Sequence, residues 1–407
     1  MRRRGFVVGL AASWGGAVFL GALTLPLGML GSLSEPDPAR RLLEIQILLG
    51  ITVVSLSLGG LLAYHAASAL GGSPSSKVSA AFPWPVLLLF PAFVAIGQWQ
   101  ASHAGWLPWL FPFVNLAMVS LPSLGIAALA VHGYQRSHRL AWPLTWREVS
   151  SAVIFGALGA IFLAGILNSA YALGGALAFV EVAGEEGGGL VERLQTLPTP
   201  VGVVYDLSVL SVFAPLNEEA CKGFVVALFF YRRGGLARCF LWGVLAGAGF
   251  NISETFFNSL ALFQQDEFAD RTIGGQWWIF AVARAGTAAV HSAATGLAAI
   301  GFYGLFRRRW NLIAFYLAGV AIHASWNFLA YVNYGDAFLA GAAPDARWLD
   351  ILSVVAMTAL GLASFVLIAG LGRNLRDGGP AAVYTALGMA PRAVPAGSTP
   401  GRAVLPG

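Results

Sequence analysis

Long apolar stretches recur through nearly all of the 407-residue chain, which is 57% hydrophobic and only 11% charged. A helix needs about 20 mostly apolar residues to cross the hydrocarbon core of a bilayer. Ten stretches approach or exceed that length, at residues 5–33, 42–70, 82–99, 106–134, 149–182, 201–231, 236–263, 277–306, 312–334 and 349–371. This pattern excludes a soluble globular protein, and we expect an all-α, polytopic bundle of about ten transmembrane helices.

The third stretch, residues 82–99, is the weakest of the ten. It is short and contains Pro83, Pro85 and Pro91, and a proline inside a helix removes a backbone hydrogen bond. We expect either a kinked span or a re-entrant segment here.

Basic residues are distributed unevenly between the loops. Lys and Arg collect in cytoplasmic loops, and most of those in this chain fall in alternate loops on one side. The loops of the other side carry only Arg40, Arg41, Arg193, Arg271 and Arg347. This asymmetry predicts that both termini are cytoplasmic. The net charge of +5 needs no nucleic acid partner, because basic loops then face an anionic lipid leaflet.

Composition divides the chain into five segments. Residues 1–182 are expected to form an N-terminal accessory bundle, and the Glu- and Gly-rich residues 183–200 an extracytoplasmic loop. Residues 201–334 concentrate the intramembrane polar groups and are the expected catalytic core of four helices. Residues 335–372 supply a final helix, and the Gly-, Pro- and Ala-rich residues 373–407 are expected to form a disordered cytoplasmic tail.

Ionisable and amide side chains occur at mid-membrane depth in four successive stretches of this core. A charge at the centre of a spanning helix costs about 2.5–3.5 kcal/mol on insertion scales, so such groups should face one another, water or a ligand. At about 1.5 Å per residue, groups on adjacent helices reach a similar depth, roughly 20 Å from the cytoplasmic ends. The groups that we expect to meet are Glu218, Glu219, Lys222, Glu254, His291, His323 and Asn327. Arg284 lies in the same stretch as His291, two turns away on nearly the same face.

The acidic pair suggests a catalytic role. Glu218 and Glu219 point about 100° apart on a helix with Lys222 between them, so one carboxylate is in excess of the ammonium. A desolvated carboxylate can act as a general base on water and return the proton to a leaving amine. Asn327, a histidine or Lys222 could donate to the developing oxyanion. Alternatively, histidines and glutamates could hold Zn²⁺, although the chain has no His-Glu-x-x-His sequence.

A few polar residues also occur in the first five spans. They are Glu44, His65, Asn115 and Asn168. We interpret them as packing or interfacial groups, because a lone polar residue in a span usually makes a helix–helix hydrogen bond.

The four polar motifs together resemble the PrsW family of intramembrane proteases, which are related to the CAAX prenyl endopeptidase and bacteriocin-processing superfamily. The resemblance rests on Glu-Glu-x-x-Lys at 218–222, Phe-x-x-x-Glu at 250–254, a histidine motif at His291 and His-x-x-x-Asn at 323–327. It covers roughly residues 201–334. It implies a bacterial inner-membrane endopeptidase that cleaves a peptide bond in or near a single-span protein such as an anti-sigma factor.

The resemblance also implies roles for individual residues. Glu218 or Glu219 would activate water, and Glu254, His291 and His323 would complete the site. These last three are the expected ligands if the enzyme holds Zn²⁺, while a metal-free mechanism that uses Glu and His alone stays open. Lys222 would tune the acidic pair, and Asn327 would donate a hydrogen bond.

One position departs from the family pattern. Thr255 follows Glu254 where asparagine is expected, so we expect that a secondary polar contact is either missing or supplied by Asn251 or Asn258.

Two rival functions use the same residues. Intramembrane Glu, Lys and His chains also form proton relays, so a proton-coupled transporter is one alternative. A catalytically silent relative that binds membrane partners through the same groove is the other.

Overall fold

The computed structural model describes residues 11–23, 38–78, 84–102, 110–137, 144–182, 199–227, 235–264, 277–334 and 347–375, with a few isolated positions between 24 and 33. These residues form ten helices and no strand, which confirms the expected all-α membrane bundle. The helices are α1 (residues 11–23), α2 (Pro38–Leu70), α3 (Trp84–Ser102), α4 (Phe111–Ser137), α5 (146–182), α6 (199–223), α7 (Leu236–Gln264), α8 (Trp277–Phe306), α9 (Ile313–Tyr334) and α10 (Arg347–Asn374).

Eight of these helices are long and apolar enough to cross a membrane. The exceptions among the described residues are α1 and α3, whose apolar parts are the shorter helices Ala11–Gly21 and Leu88–Gln100. Helix α3 continues through Pro91, so the weak third stretch is a single helix in this part of the chain. Residues 183–198 of the predicted loop and 376–407 of the predicted tail lie outside the described residues.

Helices α5 and α6 each contain a π-helical segment between two α-helical parts. In α5 it is Phe155–Ala160, and in α6 it is Ser208–Phe213. The α-helical part of α6 that follows, Ala214–Gly223, has Pro215 in its first turn, where a missing backbone N–H is tolerated. Such wide turns occur often at functional sites, and the one in α6 ends about one helical turn before the acidic pair.

Helices α7 and α8 form the centre of the bundle. Most residues of Leu236–Ser259 and Trp277–Phe306 are buried inside the protein, whereas only a minority of Pro200–Gly223 and Ile351–Asn374 is buried. Helix α6 is therefore an outer helix that packs on the centre with one face only.

The N-terminal helices share this packing. Asn251 Nδ2 in α7 donates a hydrogen bond to Ser123 Oγ in α4 (2.9 Å), and Trp242 Nε1 in α7 donates to Glu148 Oε1 in α5 (2.8 Å). Helices α4 and α5 are thus fixed directly to the helix that carries Glu254.

Glycines let the central helices approach backbone to backbone. A Cβ atom at Gly247 of α7 would lie 2.4 Å from the carbonyl oxygen of His291 in α8. A Cβ atom at Gly319 of α9 would lie 2.4 Å from the carbonyl oxygen of Ala294, also in α8. Any larger residue would push these backbones apart, so the glycines bring α8 into close contact with both neighbours at the level of His291.

We predict that Gly247→Ala destabilises the bundle by about 1–3 kcal/mol, the range typical of overpacking. Gly133→Ala in α4 is the matched control, because a Cβ atom there meets nothing within 4 Å and alanine favours a helix. Thermal unfolding of the two purified variants in one detergent measures the difference. Equal unfolding temperatures would contradict the close approach of α7 and α8.

Candidate active site

A fully buried ion pair lies at the centre of the polar cluster. Lys222 Nζ lies 2.6 Å from Glu219 Oε1, and neither side chain is exposed. Thr295 Oγ1 of α8 donates to Glu219 Oε2 (2.8 Å), and His323 Nδ1 of α9 lies 3.0 Å from Oε1. Both oxygens of Glu219 are therefore committed to neighbours on α6, α8 and α9.

The contact with Glu219 decides which nitrogen of His323 carries the hydrogen. An ionised carboxylate only accepts hydrogen bonds, so His323 Nδ1–H donates to Glu219, and in the neutral ring Nε2 is then the acceptor nitrogen. This Nε2 is buried, has no hydrogen-bond partner among the described residues and lies 3.7 Å from Glu218 Oε2. Glu218 Oε2 is also buried without a hydrogen bond from that part of the chain. With Glu218 ionised and the His323 ring neutral, two acceptors thus face each other across a gap that a proton, a hydrogen-bond donor or a cation can satisfy.

Glu218 is the more accessible member of the acidic pair. Its side chain is 11% exposed, whereas the side chains of Glu219, Lys222 and His323 are 0% exposed. Its Oε1 accepts a hydrogen bond from Asn168 Nδ2 of α5 (3.1 Å). The two adjacent glutamates therefore differ: Glu219 is enclosed and saturated, and Glu218 keeps one oxygen for a ligand.

His291 has the opposite arrangement of ring hydrogens. The Lys222 ammonium can only donate, so it donates to His291 Nδ1 (3.1 Å), and His291 Nε2–H then donates to Glu254 Oε2 (2.8 Å). Arg284 Nη2 lies 2.5 Å from the same oxygen of Glu254. Glu254 therefore orients His291, as outer carboxylates orient histidines in many metal and catalytic sites.

Arg284 is held by the residues next to Glu254. Its Nε donates to Thr255 Oγ1 (2.9 Å), and its Nη2 lies 3.5 Å from Asn251 Oδ1. The threonine that departs from the family pattern therefore makes a polar contact of its own, and Asn251 adds a second. Arg284 was not among the predicted site residues. Its position on nearly the same helix face as His291 was the feature of the sequence that could have predicted its place in the site.

Phe250 covers the buried ammonium. The centre of its ring lies 4.3 Å from Lys222 Nζ, and its ring is 5.5 Å from that of His291. A cation over an aromatic face is stabilised where water is excluded, so Phe250 both shields and favours the charge of Lys222.

Asn327 lies one turn from His323 but does not contact the acidic pair in the described structure. Its Nδ2 donates to the carbonyl oxygen of Leu210 (2.9 Å), which belongs to the π-helical segment of α6. Asn327 thereby ties α9 to the wide turn that precedes the two glutamates. Its predicted role as an oxyanion donor would require it to leave this carbonyl group.

Three side chains of the cluster can hold a metal ion. Glu218, His291 and His323 each offer one ligand atom, and these atoms lie within 4.8 Å of one another. Two imidazoles and a carboxylate are a common zinc donor set. Glu218 Oε2 and His323 Nε2 are ready to bind, whereas His291 would have to release Lys222 or Glu254. Sequence reasoning named Glu254 where this grouping has Glu218.

Comparison with known protein families identifies the family to which the chain belongs. The sequence model of the PrsW family intramembrane metalloproteases matches residues 144–362, which is more than half of the chain. The chain belongs to the PrsW family. It is therefore a hydrolase and a multi-pass membrane protein, and an intramembrane protease of this family acts on a membrane-embedded substrate.

The PrsW match is longer at both ends than the resemblance seen in the motifs, which covered residues 201–334. It begins before α5 and runs into α10, so it includes Asn168. Comparisons with curated proteins and with solved structures gave no match.

We predict that Glu219→Gln lowers stability far more than Glu218→Gln. The first change leaves the buried Lys222 ammonium without its close counter-charge, and breaking a buried pair in this way costs about 3–5 kcal/mol. The second keeps an oxygen for Asn168 and leaves the ion pair intact. Thermal unfolding of the purified variants in detergent measures both effects.

A double variant is the control for the ion pair. Glu219→Gln combined with Lys222→Met removes both charges and should recover much of the lost stability. If the two single variants lose stability equally, the assignment of Glu219 as the structural glutamate and Glu218 as the free one is wrong.

Proposed function

We propose that the protein hydrolyses a peptide bond of a membrane-embedded substrate and that Glu218 and His323 position the attacking water. The observation that carries this proposal is the pair of facing acceptors, Glu218 Oε2 and His323 Nε2, 3.7 Å apart. A water molecule beside this pair, at hydrogen-bond distance from both atoms, can donate one hydrogen bond to each. Its lone pairs then remain free for attack on a carbonyl carbon.

Glu218 is the proposed general base. Its Oε2 takes a proton from the water as the oxygen bonds to the substrate carbonyl carbon, and it returns the proton to the amide nitrogen as the C–N bond breaks. Glu219 is less suited to this role, because both of its oxygens are occupied by Lys222, Thr295 and His323.

Zn²⁺ is the cation that the donor set favours. In this alternative Glu218 would be a metal ligand instead of the general base, and Glu218, His291 and His323 would hold the ion through one carboxylate oxygen and two ring nitrogens. When bound, Zn²⁺ supplies Lewis acidity to water and to the substrate carbonyl. The description of the family as metalloproteases supports the proposal that the site binds Zn²⁺.

The proposed substrate is a single-span membrane protein such as an anti-sigma factor, in a bacterial inner membrane. The small buried share of α6 supports this, because a helix in the surrounding lipid can reach the outer face of the element that carries Glu218. The asymmetric Lys and Arg content of the loops supports cytoplasmic termini.

We predict that Glu218→Gln and His323→Gln each reduce cleavage at least about 100-fold, because a positioned base contributes about 10²–10⁴-fold. The assay places the purified protein in liposomes with a panel of single-span proteins and scores cut fragments. A chelator arm tests the metal: lost cleavage that Zn²⁺ restores supports the ion, and unchanged cleavage favours water held by Glu218 and His323 alone.

Two variants control for non-specific damage. Ser325→Ala removes an exposed hydroxyl, two residues from His323, whose one hydrogen bond among the described residues is to Ala321 of α9. Glu181→Gln makes the same carboxyl-to-amide change on an exposed position of α5. Both should cleave within about twofold of the wild type. Normal cleavage by Glu218→Gln would overturn the proposal, and proton flux without peptide products would favour the transporter alternative.

A further inference from the structure

One hydrogen bond to Glu218 comes from a helix outside the predicted catalytic core. Asn168 Nδ2, on α5, donates to Glu218 Oε1 at 3.1 Å. Asn217 Nδ2, on α6, donates in turn to Asn168 Oδ1 at 3.2 Å. The two amides form a short chain that ends on one oxygen of the proposed base.

The chain of hydrogen bonds fixes the orientation of the Asn168 amide. Its oxygen faces the donor group of Asn217, so its NH₂ group faces Glu218. The reverse orientation would set an amide oxygen against a carboxylate oxygen and an NH₂ group against another NH₂ group. Only one orientation is therefore compatible with both neighbours.

Glu218 needs such a restraint because a second group competes for its free oxygen. Lys222 Nζ lies 3.7 Å from Glu218 Oε2, the same distance that separates this oxygen from His323 Nε2. A glutamate side chain has three rotatable bonds, and an untied carboxylate can move towards the ammonium. The hydrogen bond that Asn168 donates to Oε1 opposes that movement.

We propose that Asn168 is a positioning residue that keeps Glu218 Oε2 directed at the gap beside His323. This inference rests on the proposed role of Glu218 as the base. Asn168 touches neither water nor substrate in this scheme and acts only through Glu218. Helix α5 then belongs to the catalytic unit instead of to an accessory bundle.

Three substitutions at Asn168 test the proposal with the same liposome assay. Asn168→Leu removes the donor at similar volume and should lower kcat about 10–100-fold, the usual effect of losing an orienting partner, with KM within about twofold. Asn168→Asp places an acceptor against the carboxylate and should lower kcat at least as much. Asn168→Gln keeps an NH₂ group and should restore part of the loss.

Asn115→Leu is the matched control. Asn115 is a buried amide on α4 that bonds to Ser259 Oγ (3.3 Å), and its loss should leave kcat within about twofold. Equal losses for Asn115→Leu and Asn168→Leu would overturn the inference, since they would indicate a general packing defect.

A second readout needs no substrate. The carboxylate stretching band of Glu218, identified by difference infrared spectra against Glu218→Gln, should shift in Asn168→Leu and stay in place in Asn115→Leu. An unshifted band together with wild-type kcat in Asn168→Leu would overturn the inference alone. Normal cleavage by Glu218→Gln would instead overturn the proposed function and, with it, the catalytic meaning of Asn168.

Discussion

The buried ammonium of Lys222 governs the arrangement of this site. A charge enclosed in a membrane bundle must be paired and hydrogen-bonded, and Lys222 finds Glu219 at 2.6 Å and His291 Nδ1 at 3.1 Å. Each contact determines the next one. Glu219 accepts a hydrogen bond from Nδ1–H of His323. The ring hydrogen of His291 is then on Nε2, which donates to Glu254. The contacts of Lys222 with Glu219 and His291 therefore set opposite tautomers in the two histidines: the hydrogen is on Nδ1 in His323 and on Nε2 in His291.

Adjacent glutamates acquire different roles through this arrangement. Glu219 neutralises Lys222, whereas Glu218, turned about 100° around the helix, keeps an oxygen that has no hydrogen-bond partner among the described residues. The same geometry explains why a metal ion and a metal-free water molecule would occupy the same position. Glu218 Oε2 and His323 Nε2 are acceptors that a water molecule or a cation can satisfy, and His291 must give up a contact before it can join them.

Periodicity and spacing were enough to predict the helical bundle, and order along the chain was enough to predict the family. The depth of Glu219 and His323 was also predictable, since rise per residue fixes it. The division of labour between Glu218 and Glu219 was not, because it depends on which carboxylate Thr295 meets across the bundle. Asn168 was interpreted as a packing residue for a similar reason. Its contact with Glu218 spans 50 positions, and no local pattern marks it.

The tautomers of the two site histidines test this account most directly. Nitrogen-15 NMR of the histidine-labelled protein distinguishes protonated from bare ring nitrogens, and single His→Gln variants assign the signals among the six histidines. We expect His323 to carry its hydrogen on Nδ1 with a bare Nε2, and His291 to show the reverse. A His323 ring protonated on Nε2 with a bare Nδ1 would contradict the account, since Glu219 would then not be saturated and Glu218 would not face an acceptor.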